Sequence, residues 1–145
     1  MTRINTIPVE DLLDEWLIAE YRELKRIPNK MREGGYKCDW IPEDYRMGFG
    51  HERFFLDKQL YLKNRHDSIV LELTTRFHKD YPIRVTLDGI DERYIGDWTP
   101  SMVDHSINVG RLYERFRLRK RDYHLRGAVV TEQMFDDIYG KYLDQ

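Results

Sequence analysis

The sequence predicts an all-α protein: a compact single domain of three main helices with long irregular loops and a small C-terminal helix. Three observations predict this fold. Apolar residues recur at helical spacing, glycine and proline fall mostly between the periodic segments, and a length of 145 residues suits one core. Hydrophobic residues make up 41% of the chain, which is enough apolar material to build that core.

The first helical pattern opens at residues 9–11, after a short arm of residues 1–8. Two acids in this opening suit the N-terminal end of a helix dipole. The apolar positions that follow are Leu12, Leu13, Trp16, Leu17, Tyr21 and Leu24. Pro28 and Asn29 are expected to end this helix, because proline disrupts a helix interior. Residues 29–50, rich in glycine, are expected to be an irregular connection.

A second helical pattern covers residues 51–77. Its apolar positions are Phe54, Phe55, Tyr61, Leu62, Ile69, Leu73 and Phe77. A polar patch at residues 64–67 leaves open a break or a bend in this helix. Residues 79–100 contain two prolines and two glycines and are predicted to be a loop, with residues 83–87 as a short extended piece.

A third helix is predicted from Ser101 to about Lys120, because Thr99 offers a capping hydroxyl and Pro100 suits the first helical position. Its expected buried residues include Met102, Val109, Leu112 and Phe116. A short final helix is expected to start near Thr131. The residues on its apolar face are Phe135, Ile138 and Tyr142. Little or no sheet is expected.

The net charge of −2 conceals an uneven distribution of charge. Residues 111–126 contain seven basic and two acidic residues, a local net of +5. Residues 127–145 contain four acids and one base and are interpreted as an acidic C-terminal extension of the single domain 1–145. Basic residues at helical spacing can grip DNA phosphates, although they also occur on ordinary solvated helix faces.

A second group of charges lies near the chain start. Arg22 and Arg26 are four residues apart, Glu23 shares a helix face with Trp16, and Arg3 lies in the arm. This group either brings a carboxylate and several cations together or is routine surface charge. A single cysteine, Cys38, excludes an internal disulfide, and none of the five histidines forms a metal-ligand pattern with another, so no metal site is expected. No apolar run is long enough for a membrane span.

Several motifs together resemble the phage pyrimidine-dimer DNA glycosylase (endonuclease V) family. The N-terminal segments 1–5 and 19–24, with Arg26, are the most specific. Further matching positions, in order along the chain, are Gly50-His51, Phe54-Phe55, Asp57-Lys58, Asp97-Trp98-Thr99-Pro100 and Arg111-Leu112. The resemblance extends from the N-terminus to about residue 116.

The resemblance implies a DNA repair N-glycosylase with abasic-site lyase activity that acts on cyclobutane pyrimidine dimers. By position, Thr2 supplies its α-amine as the nucleophile once Met1 is removed, and Glu23 assists the chemistry. The DNA-binding residues carried over are Arg3, Arg22, Arg26, Arg111 and Arg115. The implied partner is lesion-containing double-stranded DNA, bound by a cytoplasmic monomer in a phage-infected or bacterial cell, and no cofactor is implied.

The residues suit that chemistry. An α-amine has a reference pKa of about 7.7–8.0, and nearby arginines would lower the pKa and enlarge the neutral, nucleophilic fraction. Two departures stand beside this match: Trp16 replaces a family histidine, and Tyr123 is the only clear aromatic of a C-terminal stretch that is aromatic-rich in the family. Trp16 and Tyr123 are therefore either core residues or substrate contacts. The alternatives are the same chemistry on another damaged or modified base, or a DNA- or partner-binding homologue without catalysis.

Overall fold

The computed structural model describes residues 3–143, which fold mainly into helices. The helices are α1 (Asp14–Leu24), α2 (Arg26–Arg32), α3 (His51–Phe54), α4 (Gln59–Phe77), α5 (Met102–Arg117) and α6 (Glu132–Tyr139). A small antiparallel sheet pairs β1 (His124–Leu125) with β2 (Ala128–Val129). About 52% of the described residues are helical, so the predicted all-α fold with little sheet is confirmed.

The first predicted helix forms as three elements: a 3₁₀ turn, α1 and α2. Residues Val9–Asp11 form a separate 3₁₀ turn, and α1 begins only at Asp14. The prediction that Pro28 ends the helix is wrong, because α2 begins at Arg26 and continues through Pro28. Pro28 is the third residue of α2, where a backbone N–H has no partner within the helix and a proline is tolerated.

The second predicted helix forms as two helices, α3 and α4, separated by residues 55–58. The backbone of Gly96 holds this break: its N–H donates to the Asp57 carbonyl, and its own carbonyl accepts from the N–H groups of Leu60 and Tyr61. A side chain at Gly96 would collide with the Asp57 carbonyl, so this approach requires glycine. The break considered at residues 64–67 does not occur, because that segment lies inside α4.

The third helix begins at a different cap from the one predicted. Ser101, not Thr99, is the N-cap of α5, and its hydroxyl accepts from the N–H of Asp104 while the Asp104 carboxylate accepts from the N–H of Ser101. This reciprocal arrangement satisfies two N–H groups at once. Met102 was expected in the core, but it lies at the first position of α5 and is 44% exposed. The other three expected core residues of α5 are buried.

The irregular segment 79–100 is a loop as predicted, with a 3₁₀ turn at Glu92–Tyr94. No strand forms at residues 83–87, although Val85 is buried. Between β1 and β2, the turn residues Arg126 and Gly127 both have positive φ (49° and 84°), the backbone that a tight two-residue hairpin requires.

The core lies where α1 packs on α4 and where α6 closes over α1 and α5. Phe135 of α6 stacks on Phe116 of α5, with centroids 4.2 Å apart, and meets the edge of Trp16 of α1. Ile4 and Ile7 of the N-terminal arm are fully buried, so the arm runs through this core rather than over it. None of the helices within residues 3–143 has the length and apolar character needed to cross a membrane.

Candidate functional site

The N-terminal arm is fixed to the fold through both backbone groups of Ile4. Its N–H donates to Nε2 of His51 (2.8 Å), and its carbonyl accepts from the Tyr45 hydroxyl (2.9 Å). His51 Nδ1 lies 2.7 Å from the Arg46 carbonyl, which can only accept, so His51 is the neutral tautomer with its proton on Nδ1. Burial lowers the pKa of His51, which favours this neutral form.

The next arm residues bind to a buried polar network. The Asn5 amide donates to Glu20 (2.7 Å) and its oxygen accepts from Asn108 of α5 (2.8 Å). The N–H of Thr6 donates to Asn108 (2.8 Å). Glu20 also receives Arg65 in a buried ion pair of 2.7 Å. The network therefore joins Asn5 and Thr6 of the arm to α1, α4 and α5.

A cavity of about 270 Å³ opens beside this network. It lies between the arm, α1, the α5 helix and the segment leading to β1. The residues of its wall that matter below are Arg3, Glu15, Trp16, Glu23, Arg115 and Tyr123. The wall thus combines cations, carboxylates and aromatic rings from four parts of the chain.

The electrostatics of the cavity centre on Arg3. Burial, together with repulsion from Arg115 and Arg111, lowers the pKa of Arg3 to about 10, while Tyr45 and Glu23 act in the opposite direction. Arg3 still carries its charge at neutral pH. The cavity wall therefore sets Arg3 and Arg115 beside the carboxylates of Glu15, Glu20 and Glu23. Glu20 pairs with Arg65 and Glu15 with His124, whereas the charge of Glu23 acts on Arg3. Cations beside a carboxylate suit a polyanionic substrate that develops positive charge at one atom.

The residues singled out from the sequence are distributed as follows. Thr2 lies outside the described residues, and Arg3 is the first residue after it. Arg22, in the last turn of α1, and Arg26, at the start of α2, are exposed and are not among the described residues of the cavity wall. Arg111 is partly exposed and lies 3.3 Å from Glu114 in an ion pair.

Trp16 belongs to both the core and the cavity. It is only 7% exposed, with its ring 4.9 Å from that of Tyr123 and within 6.1 Å of Tyr139. Its edge also reaches the cavity wall, where Tyr123 lies beside it. The two sequence interpretations of Trp16, core residue and substrate contact, therefore both remain compatible with its position.

The hairpin that follows Tyr123 is held by the first two residues of α1. The Asp14 carboxylate accepts from the N–H groups of Arg126 and Gly127, both at 2.9 Å. The Glu15 carboxylate accepts from the N–H of His124 (2.7 Å) and pairs with its ring (2.9 Å), and this hydrogen bond raises the pKa of His124. These contacts fix Tyr123 against Trp16.

Sequence reasoning missed the residues that anchor the arm. Glu20 lies four residues from Trp16 and from Leu24, and Arg65 lies three and four residues from Leu62 and Ile69, so both charges fall on apolar helix faces. An ionisable residue on such a face indicates a buried pair. Asn5 and Asn108 carry no comparable pattern. Within residues 3–143, no group of three or more His, Cys, Asp or Glu side chains is placed to hold a metal ion.

The fold and site together describe a helical protein that buries Ile4 and Ile7 of its N-terminal arm and lines a cavity with two arginines and three carboxylates. Residues 1–85 match the family model of the pyrimidine dimer DNA glycosylases. This match covers more than half of the 145 residues, and the chain belongs to that family. The suspected family is therefore confirmed, and with it a DNA substrate.

Proposed function

We propose that the protein excises cyclobutane pyrimidine dimers from double-stranded DNA and then cleaves the strand, acting as a monomer through an imine formed by the Thr2 α-amine. The observation that carries this proposal is the position of Arg3. Its side chain lines the same cavity as Glu23 and Arg115, and Thr2 is covalently bonded to it. In the sequence, Thr2 therefore directly precedes a residue whose side chain shares a cavity with Arg115 and with the carboxylates of Glu15, Glu20 and Glu23.

The proposed chemistry uses groups of the protein and the DNA, together with water. After removal of Met1, the neutral amine of Thr2 attacks C1′ of the damaged nucleotide, the C1′–N bond breaks, and the base leaves with its electron pair and takes up a proton. Glu23 stabilises the positive charge that develops on the sugar and then carries protons. Arg3 and Arg115 keep the amine neutral by opposing its protonation.

Strand cleavage follows from the same intermediate. The nitrogen electron pair forms the C1′=N bond as the C1′–O4′ bond breaks, O4′ takes up the proton that the nitrogen gives up, and the sugar ring opens. The resulting imine to Thr2 acidifies the hydrogen at C2′. A base removes that proton, the C2′ electrons form a double bond to C3′, and the C3′–O bond breaks to release the 3′ phosphate. Water then hydrolyses the imine and regenerates the amine.

DNA binding is assigned to Arg3, Arg22, Arg26, Arg111 and Arg115, whose guanidinium groups suit phosphate oxygens. Arg3 and Arg115 belong to the cavity, and Arg22 and Arg26 are exposed at the junction of α1 and α2. Trp16 and Tyr123 are assigned to the sugar or base at the cavity wall. Opening the duplex costs least at a damaged, poorly stacked site, which favours the lesion.

Borohydride trapping tests the nucleophile. Protein that lacks Met1 is mixed with abasic-site duplex and borohydride, and a covalent protein–DNA adduct is expected. The matched control keeps an additional residue before Thr2, which removes the primary amine from its place. Failure of the processed protein to form an adduct, while a known amine lyase does so in parallel, would overturn the proposal.

The carboxylate is tested by Glu23→Gln, with Glu33→Gln at the exposed end of α2 as its control. We expect Glu23→Gln to abolish base excision and to bind DNA like the unaltered protein, because the amide keeps the shape but not the charge. Glu33→Gln should retain both properties. Retained excision in Glu23→Gln would remove Glu23 from this role.

A second candidate is the same chemistry on a different damaged or modified base. The observation that favours it is the cavity wall, where Trp16 stands at the position of a family histidine and lies beside Tyr123, the one clear aromatic left of the family's aromatic-rich stretch. Comparing strand cleavage on dimer-containing, undamaged and abasic duplexes decides between them. Abasic cleavage without dimer-dependent cleavage would favour the second candidate, and absence of both activities would favour a DNA-binding homologue without catalysis.

A further inference from the structure

Two aromatic rings project from the loop between α2 and α3. Phe49 is 85% exposed, and Trp40 is 39% exposed. The two rings are stacked, with centroids 5.4 Å apart and planes 19° from parallel, and are called the Trp40–Phe49 pair below. Single exposed apolar side chains are common on protein surfaces, whereas two exposed rings stacked together indicate a binding surface.

The loop holds this pair in a defined geometry. Gly48 and Gly50 on either side of Phe49 have positive φ (68° and 88°), and a Cβ on Gly50 would lie 3.1 Å from the Trp40 ring. The Arg53 side chain donates to the Trp40 carbonyl (2.9 Å) and lies 5.8 Å from the ring centre. The pair is thus built into the loop by two glycines and an arginine.

The same loop is attached to the N-terminal arm by hydrogen bonds. Tyr45, which lies within the loop, and His51, which directly follows it, bind the two backbone groups of Ile4. Phe49 is two residues from His51, and Thr2 is two residues from Ile4, so each separation is at most about 7 Å along the chain. The Trp40–Phe49 pair therefore lies within the span of a DNA duplex whose lesion is held at the arm.

We infer that Phe49, backed by Trp40, stacks on a base of the bound duplex at or next to the lesion, where pairing is already weakened. This inference rests on the proposed function for the position of the DNA. Aromatic side chains stack on any base, and apolar wedges unstack and kink a duplex. An inserted ring keeps the opened duplex from closing again.

The charges around the pair favour a base over the phosphate backbone as the occupant. Two arginines lie near the Trp40 ring. Arg46 is 5.9 Å from its centre, and the charge of Arg53 is offset by an ion pair with Asp39 at 3.2 Å. Exposed Glu43 and Asp44 on the same loop repel phosphates. Recognition by the pair is thus aromatic, and its loss should leave the salt dependence of binding unchanged.

The test measures binding of duplexes that carry a tetrahydrofuran abasic analogue, which cannot form an imine. Phe49→Ala should bind this duplex about tenfold more weakly, and Phe49→Trp should restore binding. The affinity for undamaged duplex and the salt slope should stay as in the unaltered protein. Leu71→Ala on α4 (69% exposed) is the matched control and should change neither affinity.

A spectroscopic readout follows stacking directly. We expect 2-aminopurine opposite the analogue to be quenched by the unaltered protein and by Leu71→Ala, and to remain bright with Phe49→Ala. Equal binding and equal quenching by Phe49→Ala would overturn the inference. So would an equal loss of affinity for damaged and undamaged duplex, or a self-association in sedimentation that Phe49→Ala abolishes, because the pair would then contact another copy of the chain.

These outcomes separate the inference from the proposed function. Borohydride trapping by the unaltered protein, combined with normal binding by Phe49→Ala, removes the inference and leaves the amine chemistry intact. Selective loss of abasic-duplex binding in Phe49→Ala without any trapping by the unaltered protein supports the inference and removes the amine chemistry.

Discussion

At the residue scale, Glu20 and Arg65 determine where the arm lies. Their side chains are 1% and 7% exposed, and Glu20 accepts both from Arg65 and from the Asn5 amide. Burial acts to lower the pKa of Arg65, but the adjacent Glu20 carboxylate outweighs it and raises that pKa. Each charge is therefore held in the core by the other.

Glu20→Gln should lower the free energy of unfolding by about 3–5 kcal/mol, because it leaves the Arg65 charge buried without a counter-charge. Urea denaturation measures this difference, with exposed Glu33→Gln as the control. A double substitution of Glu20 and Arg65 by methionine should recover most of the loss, because two apolar side chains of similar volume replace the pair. An unchanged stability in Glu20→Gln would contradict the assigned role.

His51 gives the arm a pH dependence of defined sign. Burial lowers its pKa in the folded protein and Arg3 lowers it further, against the opposing effects of the Arg46 carbonyl, Glu52 and Glu20. The unfolded chain therefore binds the proton more readily than the folded one. Stability from this group is complete above the unfolded pKa of about 6.5 and decreases as the pH falls below it.

The test compares the unaltered protein with His51→Gln, because two other histidines also titrate. Burial lowers the pKa of His66 to about 4 and lowers that of His105 as well. Between pH 8 and pH 5 the unaltered protein should lose more unfolding free energy than His51→Gln, whose amide oxygen can accept from Ile4 at every pH. Urea denaturation at each pH measures the two losses. Equal losses would show that His51 does not titrate in this range.

At the element scale, helical periodicity could be predicted from the sequence, but the breaks could not. The gap at residues 55–58 depends on Gly96, about forty residues away, whose backbone binds both sides of it. The polar patch at residues 64–67 suggested a break, yet Arg65 and His66 are buried where they bind Glu20 and the N–H of Arg84. Local composition does not contain these distant partners.

The hairpin β1–β2 is held in place by the first residues of α1. Asp14 and Glu15 are the first two residues of α1, and their carboxylates accept from the hairpin backbone rather than capping their own helix. Asp14 also pairs with the buried Arg76 at 3.1 Å. Because Tyr123 directly precedes β1, this attachment sets one wall of the cavity.

Asp14→Ala should therefore release the turn while leaving the helices formed. The amides of Arg126 and Gly127 should exchange hydrogen about tenfold faster or more, since a hydrogen bond to a charged group contributes about 1.5–3 kcal/mol. Hydrogen exchange measured by NMR reports this change, with exposed Asp80→Ala as the control. Unaltered exchange at both amides would show that Asp14 does not hold the turn.

At the scale of the whole molecule, the resemblance predicts a site made of the arm, Glu23 and Arg115, and the roles of these residues stay a prediction. In the structure Arg3, Glu23 and Arg115 line one cavity. Within the anchoring network, the Asn5–Asn108 contact could not be predicted, because these residues are about a hundred positions apart and neither belongs to a pattern. The description of residues 127–145 as an acidic extension of one domain stays a prediction. In the structure its Tyr142 hydroxyl binds Asp11 at 2.6 Å.

The distribution of charge gives the last prediction. The end of α5 and the residues after it are basic, whereas the segment from Gly127 onwards is acidic. Positive and negative charge are therefore separated along this part of the sequence. DNA should approach the basic side, where Arg111 and Arg115 surround Arg3. Each arginine that displaces a counterion from a phosphate steepens the dependence of binding on salt.

Arg111→Ala should weaken binding to every duplex and reduce the slope of log affinity against log salt by about 1, because one phosphate contact is lost. Arg93→Ala, which removes an exposed arginine paired with Asp91, is the control and should leave the slope unchanged. Fluorescence anisotropy over a range of salt concentrations measures both. An unchanged slope in Arg111→Ala would mean that Glu114, its ion-pair partner at 3.3 Å, keeps Arg111 from the DNA.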